Sequence, residues 1–184
     1  MCIDIKNFYL GTPTKYFQYM RIGKKIIPQE VLNEYNIIFD NRDFTYVEIH
    51  RGMYGLKEAG VIAFDQLVQK LKRFGYEPMH QTPGLWRHIS HKRTFTLCVD
   101  DFGIQYFSKA DANHLIDAVQ DTYECSINWE GKQYCGLTLA WNYPEGYVDI
   151  SMPAYVKKAL KKFNHKPPKL PEHAPLNWTA PIYG

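Results

Sequence analysis

Alternation of apolar and polar side chains begins almost at the first residue: positions 2–9 read as a strand, ended by Gly11, Thr12 and Pro13. A second short strand is expected over 16–22, then a helix over 28–35, where Pro28 suits a first helical turn. Alternation returns at 45–49 and is broken by the segment from Gly52 to Gly55. Beyond that break Ala59, Ala63, Leu67, Leu71 and Phe74 fall on one helical face, with Gln69, Lys70, Lys72 and Arg73 elsewhere.

Two further strands are expected at 85–89 and 94–99. Asp100 and Asp101 interrupt the pattern before it resumes at 102–107, so the segment reads as a hairpin with two acids at its bend. Helical spacing of Ala112, Leu115, Ile116, Val119 and Tyr123 follows, then strands near 134–143 and 147–151 around the turn Pro144, Glu145, Gly146. The last amphipathic stretch sets Val156, Ala159, Leu160 and Phe163 against Lys157, Lys158, Lys161 and Lys162. Prolines 167, 168, 171, 175 and 181 then predict an extended tail. The expected architecture is α+β, a mainly antiparallel sheet with helices packed on one face, in a domain over 1–165 with a proline-rich tail over 166–184.

Composition narrows this picture only a little. With 184 residues and 45% of them hydrophobic, the chain can bury a sizeable core, which excludes wholesale disorder. A net charge of +3 permits a nucleic-acid partner without selecting one. Cys2, Cys98, Cys125 and Cys135 form no CxxC pair, so reduced thiols are expected rather than disulfides or a zinc site. No run of 18 apolar residues exists and the first residues lack a signal-peptide layout, so no membrane span is expected and the chain reads as soluble and intracellular.

The chemistry rests on carboxylates. Asp4 sits in an apolar strand setting, where a charge is costly unless a cation or hydrogen bonds satisfy it. Asp100 and Asp101 repel each other, and a third acid nearby would raise their pKa values unless divalent cations occupied the site. Three converging aspartates suggest magnesium, which binds through one or two carboxylates plus substrate phosphates. Two such ions about 3.5–4 Å apart serve an in-line nucleotidyl transfer. An acid pair between short strands is more often a plain hairpin turn, so neither acidic site persuades by itself.

Six blocks do so together. DIKNFYLGTP at 4–13, HRGMYGLKEAG at 50–60, TPGLWRH at 82–88, CVDDFGIQY at 98–106, YCGLTLAW at 134–141 and SMPAYVKKALKKF at 151–163 resemble, in order and spacing, the copia-type retrotransposon reverse transcriptase. The resemblance implies a palm fold and an RNA-directed DNA polymerase, with Asp4, Asp100 and Asp101 as catalytic, metal-binding residues for two Mg2+ ions. It implies that Tyr9 screens the sugar of the incoming dNTP, and that Tyr54, Gly55 and Lys57 lie beside nucleotide and template. The partners implied are an RNA or DNA template with its primer, dNTP, and the rest of a retrotransposon polyprotein. Glu58 stands where the family has glutamine, Cys98 where it has tyrosine, and Phe8 where it has a small residue. The family's triphosphate-gripping basic residues are expected upstream of Asp4, so poor catalysis by this chain is expected.

Three other features have less specific readings. The lysines at 157, 158, 161 and 162 form a solvated helix face or, with Lys166 and Lys169, a phosphate contact. Tyr16, Phe17 and Tyr19 are expected to pack rather than stack on bases. His80, His88 and His91 are assigned no role. Two functions stay open, a polymerase palm and a catalytically inactive remnant with at most weak nucleic-acid binding. A different two-metal palm such as a nucleotidyl cyclase ranks a distant third, because it would not predict the tyrosine-glycine-leucine block.

Overall fold

The computed structural model describes residues 1–166 and 182, so nearly all of the proline-rich tail lies outside the described residues. The chain divides into two compact units, Met1–Cys135 and Gly136–Gly184.

In the first unit an antiparallel six-stranded sheet carries the order β4-β5-β6-β7-β1-β8, where β1 is Cys2–Ile5, β4 Tyr76–Pro78, β5 Leu85–His88, β6 Thr94–Cys98, β7 Asp101–Gln105 and β8 Cys125–Asn128. Alternate residues of these strands, Ile3 and Ile5, Phe95 and Leu97, and Phe102, enter one buried cluster. Two helices complete it: α2, Lys57–Arg73, supplies Ala63, Leu67 and Leu71, and α3, Lys109–Gln120, supplies Leu115, Ile116, Ala118 and Val119. Full burial of each large apolar side chain contributes about 1.5–3 kcal/mol, and the face predicted for α2 is the buried one. Ser108 starts α3, its Oγ accepting from the Asp111 N–H at 3.2 Å and donating to Asp111 Oδ2 at 2.7 Å.

A separate two-stranded sheet pairs β2, Pro13–Gly23, with β3, Phe44–Arg51, and α1, Gln29–Glu34, lies between them in sequence with Pro28 at its N-cap. Tyr16 and Tyr19, expected to pack, are instead 66% and 63% exposed, because this hairpin lies outside the six-stranded sheet. The first strand is shorter than its pattern suggests. It stops at Ile5, Asn7 turns left-handed at φ 51°, and Tyr9 therefore sits in a turn. Among the described residues, no helix is long and apolar enough to cross a membrane.

The second unit contains a hairpin of β10, Leu137–Asn142, and β11, Tyr147–Ser151, in register from Thr138 opposite Ser151 to Asn142 opposite Tyr147. It is followed by α4, Pro153–Lys162, whose predicted apolar residues Val156, Leu160 and Phe163 are exposed. The expected continuous strand over 134–143 is broken where Cys135 and Gly136 adopt φ 49° and 75°, leaving the two-residue β9, Gln133–Tyr134, at the end of the first unit.

Candidate functional site

Pairing of β1 with β7 sets Asp4 directly opposite Asp101, and the two-residue turn Val99–Asp100 brings the third acid to the same strand ends. The Ile5 N–H donates to the Asp100 carbonyl at 3.0 Å, tying that turn to β1. Asp101 is thus the first residue of β7 rather than part of the bend, while Asp100 belongs to the turn. Turn geometry here is unusual: Val99, a β-branched residue, has φ 61°.

The electrostatics are those of crowded like charges. Asp100 is raised above the ordinary carboxylate range, first by burial and then by Asp4. Asp101 is raised by burial, then by Asp100 and Asp4, while hydrogen bonds from the Cys135 thiol and backbone N–H pull it back. Asp4 accepts from the Ser126 hydroxyl at 3.3 Å. Among the described residues no three acid, histidine or cysteine side chains close round a single point. A closed protein cage is not what magnesium needs, since it takes one or two carboxylates and completes its shell with water and phosphate oxygens. The donor set is compatible with a magnesium ion, whose remaining ligands would be water and phosphate oxygens.

Tyr9 belongs to the same place. Its phenol is raised by burial and then by the field of Asp100, and its ring meets Tyr54 edge-on with centroids 5.0 Å apart. The approach of the 52–60 segment depends on a missing side chain: a Cβ on Gly52 would lie 2.6 Å from the Tyr9 carbonyl oxygen and 3.1 Å from Ala59 Cβ. Gly55, at φ 94°, then turns the chain into α2, whose first residue is Lys57. Lys57 is exposed and lines a groove of about 280 Å³ with Lys15, Tyr16, Glu58, Val61 and Ile62. Asp4, Asp100, Asp101, Tyr9 and Tyr54 are thus neighbours, with Gly55 and Lys57 continuing from Tyr54. Lys157, Lys158, Lys161 and Lys162 belong to the other unit, all exposed on α4.

Two residues join the site that sequence reasoning passed over. Ser126 reaches Asp4 only through the pairing of β1 with β8, a four-residue strand too short to announce itself by period. Cys135 reaches Asp101 because the chain turns after β9. Neither carries a local signal, although the block around Cys135 did.

Two histidines, His88 and His114, are engaged within the fold. His88 Nδ1 accepts from the Ser90 N–H at 3.1 Å and the ring donates to the Phe74 carbonyl, so both nitrogens are engaged and neither is free for a metal. His114 Nδ1 pairs with the Tyr76 hydroxyl at 2.8 Å. Comparison with known proteins adds no identity: no protein-family model matches the chain, and no solved structure matches it.

Proposed function

We propose that this chain carries the palm of a copia-type reverse transcriptase, an RNA-directed DNA polymerase that extends a primer 3′-hydroxyl with dNTP. What supports the reading most is the antiparallel register that sets Asp4 against Asp101, with Asp100 in the adjoining turn and Tyr9 beside it. In this reading Asp4, Asp100 and Asp101 hold two magnesium ions, which when bound supply activation of the primer hydroxyl and stabilisation of the leaving pyrophosphate. The protein's own contribution is placement. The Ile5 N–H fixes the Asp100 turn, Ser126 orients Asp4, and Cys135 orients Asp101. Tyr9, braced by Tyr54 and Gly52, forms the floor on which a sugar ring rests. Lys57 offers a cation at the start of α2, and the α4 lysines offer phosphate contacts.

A second reading has one observation of its own. Glu58 lines the groove beside Lys57, placing a negative charge where an anionic template would pass. That favours an inactive remnant which keeps the palm fold and binds nucleic acid weakly.

Magnesium-dependent primer extension on an RNA template separates the two, run with the wild-type chain and with its Asp100→Asn, Asp101→Asn variant, whose folding is checked by circular dichroism. The polymerase reading expects wild-type extension that falls by about a thousandfold in the variant, the several kcal/mol that a metal site contributes to the transition state. Equal extension by both proteins sinks it. Absence of extension by wild type, with nucleic-acid binding retained, supports the remnant only if a form extended upstream by a fingers segment is silent too.

A further inference from the structure

One face of the β6–β7 hairpin carries two thiols whose redox chemistry the polymerase reading does not use. Thr96 and Cys98 share a face of β6, and their partners on β7 are Gly103 and Asp101. Tyr134 covers the first of these pairs: its hydroxyl donates to Thr96 Oγ1 at 3.0 Å, and a Cβ on Gly103 would meet its ring at 3.3 Å. With Tyr134 anchored there, the next residue reaches the next pair. Cys135 donates its N–H and S–H to the Asp101 carboxylate, and its thiol lies within hydrogen-bonding reach of the Cys98 thiol. Both cysteines are exposed, whereas Cys2 is buried and Cys125 half-buried.

We propose that Cys98 and Cys135 form a redox pair which closes to an intramolecular disulfide, with a small-molecule disulfide such as oxidised glutathione as the oxidant. The Cys98 thiolate attacks one sulfur of the oxidant, forming a mixed disulfide and expelling one thiolate. Cys135 sulfur then attacks the Cys98 sulfur, its proton passes to solvent, and the second small thiol leaves. Two protein thiols are oxidised and one disulfide is reduced to two thiols. Thiols within hydrogen-bonding reach have only to close to the S–S length of about 2.05 Å. Cys98 is the last residue of β6, next to the left-handed Val99, and Cys135 is itself left-handed, so both ends of the link lie at strand ends rather than in the middle of the ladder. In the oxidised form Asp101 loses its thiol donor and keeps the Cys135 N–H. The bond itself does not depend on the polymerase reading.

The test is titration of the full 184-residue chain with oxidised glutathione, followed by alkylation, digestion without reductant and mass spectrometry, in native buffer and in urea. The expected product is a peptide joining Cys98 to Cys135, formed in the folded chain at about a tenth of the oxidant needed in urea. Separate glutathione adducts on the two cysteines, or an equal oxidant requirement in urea, overturn the proposal. Cys135→Ser, with Cys135→Ala as a second variant in case the first folds poorly, is expected to trap a stable glutathione adduct on Cys98. An unmodified Cys98 in both folded variants overturns it too.

Discussion

Strand β6 connects two polar clusters that treat charge in opposite ways. Before its first residue lies Arg93, paired with Asp111 at 2.8 Å, the two side chains only 13% and 23% exposed. Asp111 also takes the Ser108 hydroxyl, Tyr76 pairs with His114, and His88 bridges Ser90 and Phe74. Even Tyr76, pushed up to about 12 by burial, keeps its proton for a partner. Arg93 Nη1 is the exception, buried without a well-formed hydrogen bond. Past the other end of β6, three aspartates crowd together, and among the described residues no ion pair reaches any of them. Folding alone favours the first arrangement, since unpaired like charges raise the free energy of the native state. One cluster holds the fold together, and the other weakens it, a cost that the proposed metal-binding role would offset.

The largest consequence follows from cutting one partner at each end. Asp111→Ala leaves a mostly buried guanidinium unpaired and removes the partner of the α3 cap, so urea unfolding is expected to show the largest loss of stability among these variants. Asp100→Asn, measured in the same buffer near neutral pH without magnesium, is expected to raise stability, because a carboxylate whose pKa is elevated by folding is disfavoured in its charged form. Similar losses in both variants would erase the distinction between the clusters.

How far these clusters were legible in the sequence depends on what each one is made of. The aspartates were readable as candidates because Asp4, Asp100 and Asp101 interrupt apolar strand patterns, but only the resemblance of the six blocks joined Asp4 to the pair; the hairpin between β6 and β7 follows from alternation on both sides of the acids. The α2 face could be read from Ala59 to Leu71 because a periodic stripe of that length has one structural solution. The other cluster was not legible. Tyr76 lies on a three-residue strand without a period, and Arg93, Asp111 and His114 meet only once α3 docks on the sheet. Tyr16 and Tyr19 misled for the converse reason: aromatic alternation predicts a strand face, but not whether another layer covers it.

A middle-sized effect distinguishes the clusters by pH. His88 and His114 are lowered from the ordinary imidazole value, first by burial; Arg93 and His91 add to it, and Asp111 and Asp117 partly offset it at His114. A base whose folded pKa is depressed contributes stability that is present above its unfolded value of about 6.5 and is lost as pH falls through the folded value. The raised aspartates act in the reverse sense, their end losing stability as pH rises from about 3.8 through the elevated values. The unfolding free energy from urea titration is therefore expected to fall as pH drops from about 7.5 to 5.5, by at most about 1.4 kcal/mol per pH unit for each proton taken up. His88→Gln, which can still accept from Ser90 and donate to Phe74, is expected to flatten that slope. An unchanged slope would move the titration elsewhere.

The smallest effect tests whether the aspartate end is strained as well as repulsive. Val99 is the first central residue of a two-residue hairpin turn at φ 61°, and Asp100 is not in the left-handed region, a pattern in which glycine is preferred at the first position. A β-branched residue there costs about 1–3 kcal/mol, while glycine loses about 0.5–1 kcal/mol of that advantage through its greater freedom when unfolded. The Val99 side chain is 46% exposed, so removing it forfeits only part of its apolar contribution. Val99→Gly is thus expected to stabilise the chain by about 0.5 kcal/mol in urea unfolding. The informative readout is the same titration with magnesium present. If the turn's conformation serves to hold Asp100 against β1, the freer glycine turn gives a smaller magnesium-induced gain in stability than wild type does, although its metal-free stability is higher. Equal gains in the two proteins would mean that the Ile5 hydrogen bond alone positions the acid and that the strain has no part in the site.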